Sequence, residues 1–367
     1  MNNPLKVIHI LHPSTAEIEE FVLGLSDKLT SLGIESAVLL ISEKTRESEL
    51  FKKARGKCFT VNRRCGFDLK AFIHLVQLIR REKAAVIHTH SFESWVFGSV
   101  AAKWVGCKSI HTLHSIPHKR LPASGLMLNE RMICASEGIQ RNLLRRTGIR
   151  FKEIEVIYDG IEIGKSGMPL NREENMMLRA GFGLKKDSFV IGNIDPLTKE
   201  NDQATLFKAF HRLVRKEVNA ELVIVGQGPL FQELRALVQD LHLADSVKMF
   251  QEHKEVDRLL DVFDVFARLA FRPVDSVWIL KAMAAGKPVV TTNIAEHREV
   301  VVDEQTGYLV PCGFPERIES ALKRLHANPA LIASMGTSGR KRFQEKFSLD
   351  VEARNYDRIY RAMVPQG

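Results

Sequence analysis

The sequence predicts an α/β protein made of two halves, each a parallel sheet covered by helices. Short β-branched runs alternate with amphipathic stretches along almost the whole chain, and such alternation requires a parallel sheet with helices on both faces. The length of 367 residues exceeds what one ordinary hydrophobic core supports, so two domains are expected. A polar stretch at 163–179, which contains Gly164, Gly167 and Pro169, separates the two series and is typical of an interdomain linker.

Apolar periodicity assigns the elements of the first half. Residues 19–32 have apolar side chains at a spacing of three to four, which indicates a helix after the strand at 6–11. The same alternation continues up to Asp159-Gly160, which closes this half. We expect strands at 36–41, 58–61, 85–89, 108–113 and 155–157, helices at 69–82, 95–105 and 137–147, and a further segment at 131–136.

The second half repeats the pattern. We expect strands at 189–194, 221–225, 247–250, 265–269 and 288–292, and helices at 203–218, 230–241, 255–261, 276–285, 315–327, 329–346 and 349–363. Ser348 precedes the last helix and has the side chain of an N-cap. Two α/β halves with a cleft between them place a ligand beyond the carboxyl ends of their strands.

Composition excludes several classes of protein. An apolar content of 45% with 26% charged residues is that of a soluble globular protein. No uninterrupted apolar run reaches the ~18 residues of a transmembrane helix. The start, MNNPLKVIHIL, indicates a first strand rather than a cleavable signal. The five cysteines form no CxxC motif and have no histidine at metal spacing, so we expect free thiols in a reducing cytoplasm and no metal site.

The net charge of +9 is unevenly distributed. Residues 1–150 contain 23 Lys and Arg against 13 Asp and Glu, a net +10, and the remaining residues contain 30 against 31. Basic clusters fall within residues 51–150, so this half either docks on an anionic membrane surface or is an ordinary solvated surface. No aromatic–basic interleaving or helix-turn-helix pattern accompanies the charge, and we expect no nucleic-acid partner.

Ten motifs, each weak by itself, follow one another in an informative order. They are VIHTHSF (86–92), IHTLHSIPH (110–118), CASEGIQRNLLRR (134–146), VIYDGIEI (156–163), IGNIDPLTKENDQATLFKAF (191–210), LVIVGQGPL (222–230), FDVFARLA (263–270), AMAAGKPVVTT (282–292), EVVVDEQTGYLVP (299–311) and FSLDVEARNYDRIYRAM (347–363). In this order and spacing the sequence resembles the family 4 glycosyltransferases of GT-B fold. The resemblance covers nearly the whole chain.

The resemblance implies two Rossmann-like domains facing across a cleft. An N-terminal, acceptor-side domain would span 1–165, a linker 166–179 and a nucleotide-sugar-side domain 180–346, with a helix at 347–367 crossing back to the first domain. Family members build cell-surface polysaccharides and glycolipids from nucleotide-sugar donors without a metal, so no cofactor is expected. The implied partners are a nucleotide-sugar, a glycan or lipid-linked acceptor and a partner glycosyltransferase, in the cytoplasm or at the inner face of the cell membrane.

The positions that hold the donor phosphates in this family are replaced here. A Gly-Gly turn normally lets the backbone approach the diphosphate, but Ala16-Glu17 stand there and add bulk and negative charge. The Arg and Lys that neutralise the diphosphate correspond to Pro196 and Asn201. Lys199 lies two residues from the lost lysine position and is a candidate substitute.

The paired glutamates of the family are also replaced. The first, which contacts the transferred sugar, corresponds to Pro273, which has no polar side-chain group. The second accepts hydrogen bonds from the ribose and corresponds to Lys281, which can only donate. A Gly-Gly pair expected before Glu299 is Ala295-Glu296.

Other family positions are kept. His114 matches a histidine that faces the reacting sugar in the family, and the alternative is a structural histidine at a strand end. Gly226 and Gly228 keep the turn that passes the nucleotide base. Glu299 matches the family's donor site.

Two main functional hypotheses follow. The first is a pseudo-glycosyltransferase of cell-surface glycan assembly that is catalytically impaired or inactive and has a binding or scaffolding role. Sugar transfer depends jointly on the four donor contacts that are replaced here, so it could hardly survive their loss. The second is an active retaining glycosyltransferase with a diverged donor site. A third is a new pocket for another anionic ligand, formed by the basic side chains of Lys281, Arg272 and His297-Arg298.

Overall fold

The structure is a computed structural model, and its strands and helices fall into two compact units. It describes residues 4–12, 16–42, 54, 56–63, 68–115, 130–147, 154–163, 171–253, 255–272 and 275–364. One unit comprises residues 1–162 and 346–367, and the other comprises residues 163–345. We call them the N-terminal unit and the C-terminal unit.

The N-terminal unit is a seven-stranded parallel sheet in the order β3-β2-β1-β4-β5-β6-β7. Its strands are β1 (Lys6–Leu11), β2 (Glu35–Ser42), β3 (Lys57–Asn62), β4 (Val86–Thr89), β5 (Lys108–Leu113), β6 (Arg131–Cys134) and β7 (Ile154–Val156). Its helices before the last strand are α1 (Ala16–Ser31), α2 (Leu69–Glu82), α3 (Phe92–Val105) and α4 (Glu137–Thr147). The central strands are buried on both faces, as a sheet covered by helices requires, although β1 and β4 also contain His9, His88 and Thr89.

The last helix of the chain, α13 (Leu349–Met363), belongs to the N-terminal unit because its apolar stripe is buried against that sheet. Ala353, Tyr356 and Tyr360 repeat at three to four residues and are fully buried with Val7 and Val86 of the central strands. Ser348 caps the helix by accepting a hydrogen bond from the Val351 amide at 3.4 Å. The helix thus closes one face of the sheet above β1 and β4.

The C-terminal unit is a six-stranded parallel sheet in the order β10-β9-β8-β11-β12-β13. Its strands are β8 (Phe189–Ile194), β9 (Ala220–Val225), β10 (Val247–Phe250), β11 (Val265–Arg268), β12 (Val289–Thr292) and β13 (Gly307–Val310). Its helices are α5 (Arg172–Gly181), α6 (Gln203–Val214), α7 (Phe231–Asp240), α8 (Val256–Val262), α9 (Val277–Ala284), α10 (Ala295–Val300), α11 (Pro315–His326) and α12 (Pro329–Lys346).

The stretch predicted as a linker is partly helical. Helix α5 begins at Arg172, where Asn171 and Glu174 form a reciprocal capping box. Arg179 then fixes the helix to the sheet by donating to both carboxylate oxygens of Asp264 at 2.9 Å. Residues 164–170 lie outside the described part of the chain. The spacing of Asn171 and Glu174 is a signal for the start of a helix. The polarity of the stretch had instead indicated a linker.

Each sheet reverses its strand order once, and these two points locate the sites. In the N-terminal unit the reversal lies between β1 and β4, and in the C-terminal unit it lies between β8 and β11. Ligands of open parallel sheets bind outside the carboxyl ends of the strands at such a switch point. The predicted fold class, two Rossmann-like parallel-sheet halves, is confirmed.

Candidate active site

A buried ion pair occupies the switch point of the C-terminal unit. Arg268, the last residue of β11, donates from Nε and Nη2 to the two carboxylate oxygens of Asp195, both at 2.9 Å. The two side chains are 1% and 0% exposed, and Arg268 also donates to the backbone oxygen of Asp275. A bidentate arginine–carboxylate pair is among the strongest charged hydrogen bonds. The Arg268 guanidinium is therefore occupied by a protein group.

The electrostatics of this pair reflect its burial. Burial raises the pKa of Asp195 to about 6, although Arg268 opposes the rise. Burial alone would lower the pKa of Arg268, but the contact with Asp195 outweighs it and the net shift is upward. Both groups are therefore ionised at neutral pH, and their charges cancel. A pair without net charge cannot neutralise a diphosphate as a lone arginine does.

The loop after β8 contains the three residues predicted to face the donor phosphates. Pro196 and Lys199 are exposed, whereas Asn201 is 6% exposed and donates from Nδ2 to the Pro196 backbone oxygen at 2.9 Å. Asn201 also forms a β-bridge with Ala270, which ties this loop to the end of β11. The amide of Asn201 thus stabilises this loop.

Gly226 and Gly228 allow a second loop to pack against the first. A Cβ at Gly226 would lie 1.9 Å from the backbone oxygen of Asp195, and one at Gly228 would lie 2.3 Å from that of Leu197. Gly228 also has a φ of +157°. The backbone of Leu197 bonds to this turn on both sides, to Gln227 and Leu230. Both glycines are required by close backbone approach beside Asp195.

Lys281 does not stand free in the position of the second family glutamate. Its Nζ donates to Asp257 of α8 at 2.8 Å and lies 4.4 Å from the centroid of the Trp278 ring. The side chain is 28% exposed, so it joins α9 to α8 through an ion pair and a cation–π contact. Pro273, the other member of the pair, lies outside the described residues.

The remaining predicted positions are placed as follows. Ala16 and Glu17 begin α1, but their side chains lie outside the described part of the structure. Ala295 and Glu296 begin α10, and Glu299 in the same helix is half-buried, with its backbone oxygen accepting from Arg342 at 2.7 Å.

The side chains of the proposed anionic pocket have other partners. His297 is buried and bonds through Nδ1 to Thr291 at 2.7 Å, and burial followed by Arg268 lowers its pKa to about 4. Arg298 is exposed and bonds to Asn293. Lys281 is paired with Asp257. These contacts hold the three side chains to separate partners.

A chain of hydrogen-bonded histidines occupies the switch point of the N-terminal unit. His9 of β1 bonds through Nδ1 to Nε2 of His90 at 2.9 Å, and His90 bonds through Nδ1 to Nε2 of His114 at 3.0 Å. His114 ends the chain, since its Nδ1 lies 2.9 Å from both carboxylate oxygens of Asp159. We call His9, His90 and His114 the histidine chain. Both ring nitrogens of His114, the predicted sugar-facing residue, therefore bond to protein groups.

A second branch joins this region to α13. His88 lies beside His9 in the sheet register and bonds through Nδ1 to the Tyr360 hydroxyl at 2.6 Å. Its Nε2 bonds to Thr112 at 2.8 Å, and Thr112 bonds in turn to the Tyr356 hydroxyl at 2.8 Å. The last helix therefore contributes polar as well as apolar contacts above the switch point.

Burial keeps these histidines neutral. It lowers the pKa of His9 and of His111, which bonds to Thr89 on the other face of the sheet, to about 3. The pKa values of His88 and His90 lie well below the ordinary value, first through burial and then through their histidine neighbours. Burial, followed by the nearby Asp159, raises the pKa of Glu352, whose carboxyl group lies beside the chain.

His9, His88 and His90 also offer ring nitrogens within 4.8 Å of one another. Hydrogen bonds use both nitrogens of His88 and both of His90, and leave only His9 Nε2 without a partner among the described residues. A metal ion would have to replace several of these bonds. The arrangement is that of a hydrogen-bond network, and the absence of a metal stays a prediction.

Sequence reasoning missed the residues at the centre of both sites. Asp195 and Arg268 are 73 positions apart, and His9 and His90 are 81 positions apart. The alternation His88-Thr89-His90 was a visible signal, because residues two apart on a strand face the same side. Nothing local indicates which strands become neighbours.

The fold and the two switch-point sites define a GT-B protein of two Rossmann-like units. The description "Glycosyltransferase Family 4" matches residues 18–165, and "Glycosyl transferases group 1" matches residues 177–342. These two matches together span most of both units. The chain belongs to the family 4 glycosyltransferases.

Named relatives agree with this assignment. The chain is 24% identical over 70% of its length to the UDP-Gal:alpha-D-GlcNAc-diphosphoundecaprenol alpha-1,3-galactosyltransferase of Escherichia coli, covering 70% of that protein. It is 24% identical over 80% of its length to the N-acetyl-alpha-D-glucosaminyl L-malate synthase of Bacillus anthracis, covering 79% of that protein.

Solved structures share the fold. A glycosyltransferase from Rickettsia africae ESF-5 superposes with a TM-score of 0.83 at 18% identity, covering 100% of both chains. Alr3699/HepE of Anabaena, solved in complex with UDP, gives 0.79 at 18% identity, covering 98% of this chain and 100% of the other.

Proposed function

We propose that this protein acts in cell-surface glycan or glycolipid assembly with an impaired donor site, so that ordinary sugar transfer is slow or absent. The observation that carries this proposal is the Asp195–Arg268 pair. The arginine at this switch point is neutralised by a buried carboxylate, while Pro196 and Asn201 supply no charge. Losing one charged contact to a transferring group costs roughly 10²–10³ in rate.

Calorimetric titration with UDP, GDP and ADP tests the proposal most directly. We expect no binding in the micromolar range for any of the three, because Asp195 neutralises Arg268 and because Pro196 and Asn201 supply no charge. Micromolar binding of any one of them would overturn the proposal of an impaired donor site. Titration of an active family member under the same conditions serves as the positive control.

One observation favours a second candidate, an active retaining glycosyltransferase with a diverged donor site. Lys199 and Arg272 are exposed cations on the loops that follow β8 and β11. The two loops touch where the Phe271 amide donates to the Glu200 backbone oxygen at 3.0 Å. Both cations help to lower the pKa of Glu200, after its hydrogen bond with Thr198, so both lie near it. Together they offer a replacement for the lost diphosphate contacts.

A pair of variants tests this candidate. If the protein binds a nucleotide, Lys199→Ala with Arg272→Ala should weaken that binding by at least tenfold. Lys186→Ala removes an exposed cation just before β8, at the opposite edge of the sheet, and should leave binding unchanged. Equal loss in both variants would refute a phosphate-binding role for the two loops.

We also infer that the N-terminal unit docks on an anionic membrane surface. No described helix has both the length and the apolarity needed to cross a bilayer. Trp104, Leu69 and Ile73 are 69%, 60% and 47% exposed on the neighbouring helices α2 and α3. The exposed cations Lys70 and Lys103 accompany them, which suits an anionic headgroup layer.

Vesicle co-sedimentation tests docking. Binding to phosphatidylglycerol vesicles should exceed binding to phosphatidylcholine vesicles and should weaken as salt rises. Trp104→Ala should reduce binding, whereas Phe314→Ala, which truncates a 50% exposed side chain of the C-terminal unit, should not. Equal binding to neutral and anionic vesicles would remove the membrane assignment.

A further inference from the structure

We propose that Asp159 is the hydroxyl-binding group of the N-terminal unit, and that the histidine chain behind it is a positioning device polarised toward it. The ligand is a hydroxyl-bearing glycan. This inference rests on the proposed role in glycan assembly.

The first argument is exposure. The side chain of Asp159 is 36% exposed, whereas that of His114 is 6% exposed. His90 and His9 are 3% and 0% exposed. Asp159 lies beyond β7 and bonds to His114, which lies just past the end of β5, at the carboxyl edge of the sheet. The carboxylate is thus the end of the chain that a ligand can reach.

The second argument is the direction of the hydrogen bonds. An ionised carboxylate only accepts, so His114 must donate to Asp159 from Nδ1. A neutral His114 then accepts at Nε2 from His90 Nδ1, and a neutral His90 accepts at Nε2 from His9 Nδ1. All three rings take the Nδ1–H tautomer. The carboxylate therefore sets the proton positions two rings beyond its own contact.

The third argument identifies the group that accepts the hydrogen bond of the ligand. His114 has no free lone pair in this state, because Nδ1 is protonated and Nε2 accepts from His90. The outward lone pairs of Asp159 are left as the accepting sites. Phe21 of α1 packs edge-on against the His114 ring at 5.2 Å and fixes its plane. An oriented carboxylate is suited to accept the hydrogen bond of a sugar hydroxyl.

Other titratable groups surround the chain and do not compete for this role. His88 and His111 are buried on the two faces of the sheet, and Tyr356 and Tyr360 lie on α13. Burial raises the pKa of both tyrosines. Glu352 of α13 accepts from the Gly160 amide at 2.9 Å, and burial followed by the nearby Asp159 raises its pKa.

The tautomers can be measured without any substrate. We expect ¹⁵N imidazole NMR of the full chain at pH 7.5 to show His9, His90 and His114 as neutral Nδ1–H rings. In Asp159→Asn the amide can donate to His114 Nδ1, which permits the whole chain to reverse to Nε2–H. A shift toward Nε2–H at His9 as well as at His114 is the expected signature. An Nε2–H His114 in the unmodified protein would overturn the proposal, even if the variant fails to fold.

Ligand binding is measured separately, with p-nitrophenyl α-N-acetylglucosaminide as the probe. We expect Asp159→Asn to weaken its binding by about tenfold or more, since a charged hydrogen bond is lost. Glu162→Gln changes an exposed carboxylate three residues away and should bind like the unmodified protein. No binding to the unmodified protein, or equal binding in Asp159→Asn, overturns the hydroxyl-binding role. Neither result depends on the nucleotide titration. Failure of the Asp159 proposal can therefore be distinguished from failure of the donor-site proposal.

Discussion

At the scale of single residues, the two switch points differ in how a charge is neutralised. In the C-terminal unit the Arg268 guanidinium meets a carboxylate within the protein and both are buried. In the N-terminal unit the Asp159 carboxylate bonds to the His114 ring and keeps an exposed side. In the first arrangement the charge of Arg268 is not available to a ligand. In the second, the charge of Asp159 is.

Replacing Arg268 with methionine should destabilise the C-terminal unit strongly. The substitution leaves the Asp195 carboxylate buried without its partner, which costs about 3–5 kcal/mol. Arg258→Met, which breaks an ion pair with both side chains about half exposed, should cost no more than about 1 kcal/mol. Urea unfolding of the two variants measures the difference. Similar midpoints would show that the buried pair contributes little.

Restoring a glutamate at position 281 should not restore nucleotide binding. Lys281→Glu brings back an acceptor for ribose but also places a carboxylate beside Asp257, and Pro196 and Asn201 still supply no charge. Calorimetry with UDP, GDP and ADP should therefore give the same null result as the unmodified protein. Restored affinity from this single change would refute the account of the donor site.

At the scale of elements, close backbone contact fixes the last helix to the end of the N-terminal sheet. A Cβ at Gly160 would lie 2.7 Å from the Leu349 Cα and 2.8 Å from the Ser348 carbonyl carbon. The neighbouring Ile161 forms a parallel bridge with Ser348. The segment that contains Asp159 is thus positioned by the start of α13.

Gly160→Ala should weaken this contact. The added methyl group meets backbone, which cannot rotate away, so the start of α13 must shift at a cost of about 1–3 kcal/mol. Gly181→Ala is the matched control, because nothing lies within 4 Å of a Cβ there and its φ is not positive. Chemical denaturation compares the two. An unchanged Gly160→Ala would mean that the helix adjusts without strain.

At the scale of the whole molecule, buried neutral histidines should make the N-terminal unit acid-labile. The pKa values of His9, His88, His90 and His111 lie below the unfolded value of about 6.5, so their contribution is present above that pH and is lost as the pH falls. Glu352 has a raised pKa and opposes this trend. From pH 6.5 to 5.5 the free energy of unfolding of the N-terminal unit should therefore fall.

The C-terminal unit should change less over the same range. There the lowered pKa of His297, about 4, and the raised pKa of Asp195, about 6, act in opposite directions. Hydrogen exchange at pH 7.5 and 5.5 should show loss of protection in β1, β4, β5 and α13 first. An equal loss of protection in both units, or no loss in the N-terminal unit, would contradict the prediction that these histidines are buried in the neutral form.

The sequence by itself determined the fold class and the family, because hydrophobic periodicity and ordered motifs are local properties of the chain. Through the family resemblance it also predicted that Pro196, Asn201 and Lys281 stand at donor-site positions. Only the tertiary structure decided that Arg268 neutralises Asp195, that Lys281 pairs with Asp257, and that three histidines align behind Asp159. The physical reason is strand order: parallel neighbours are brought together by crossover connections, so the partners at a switch point lie far apart in sequence and are paired only when the sheet is complete.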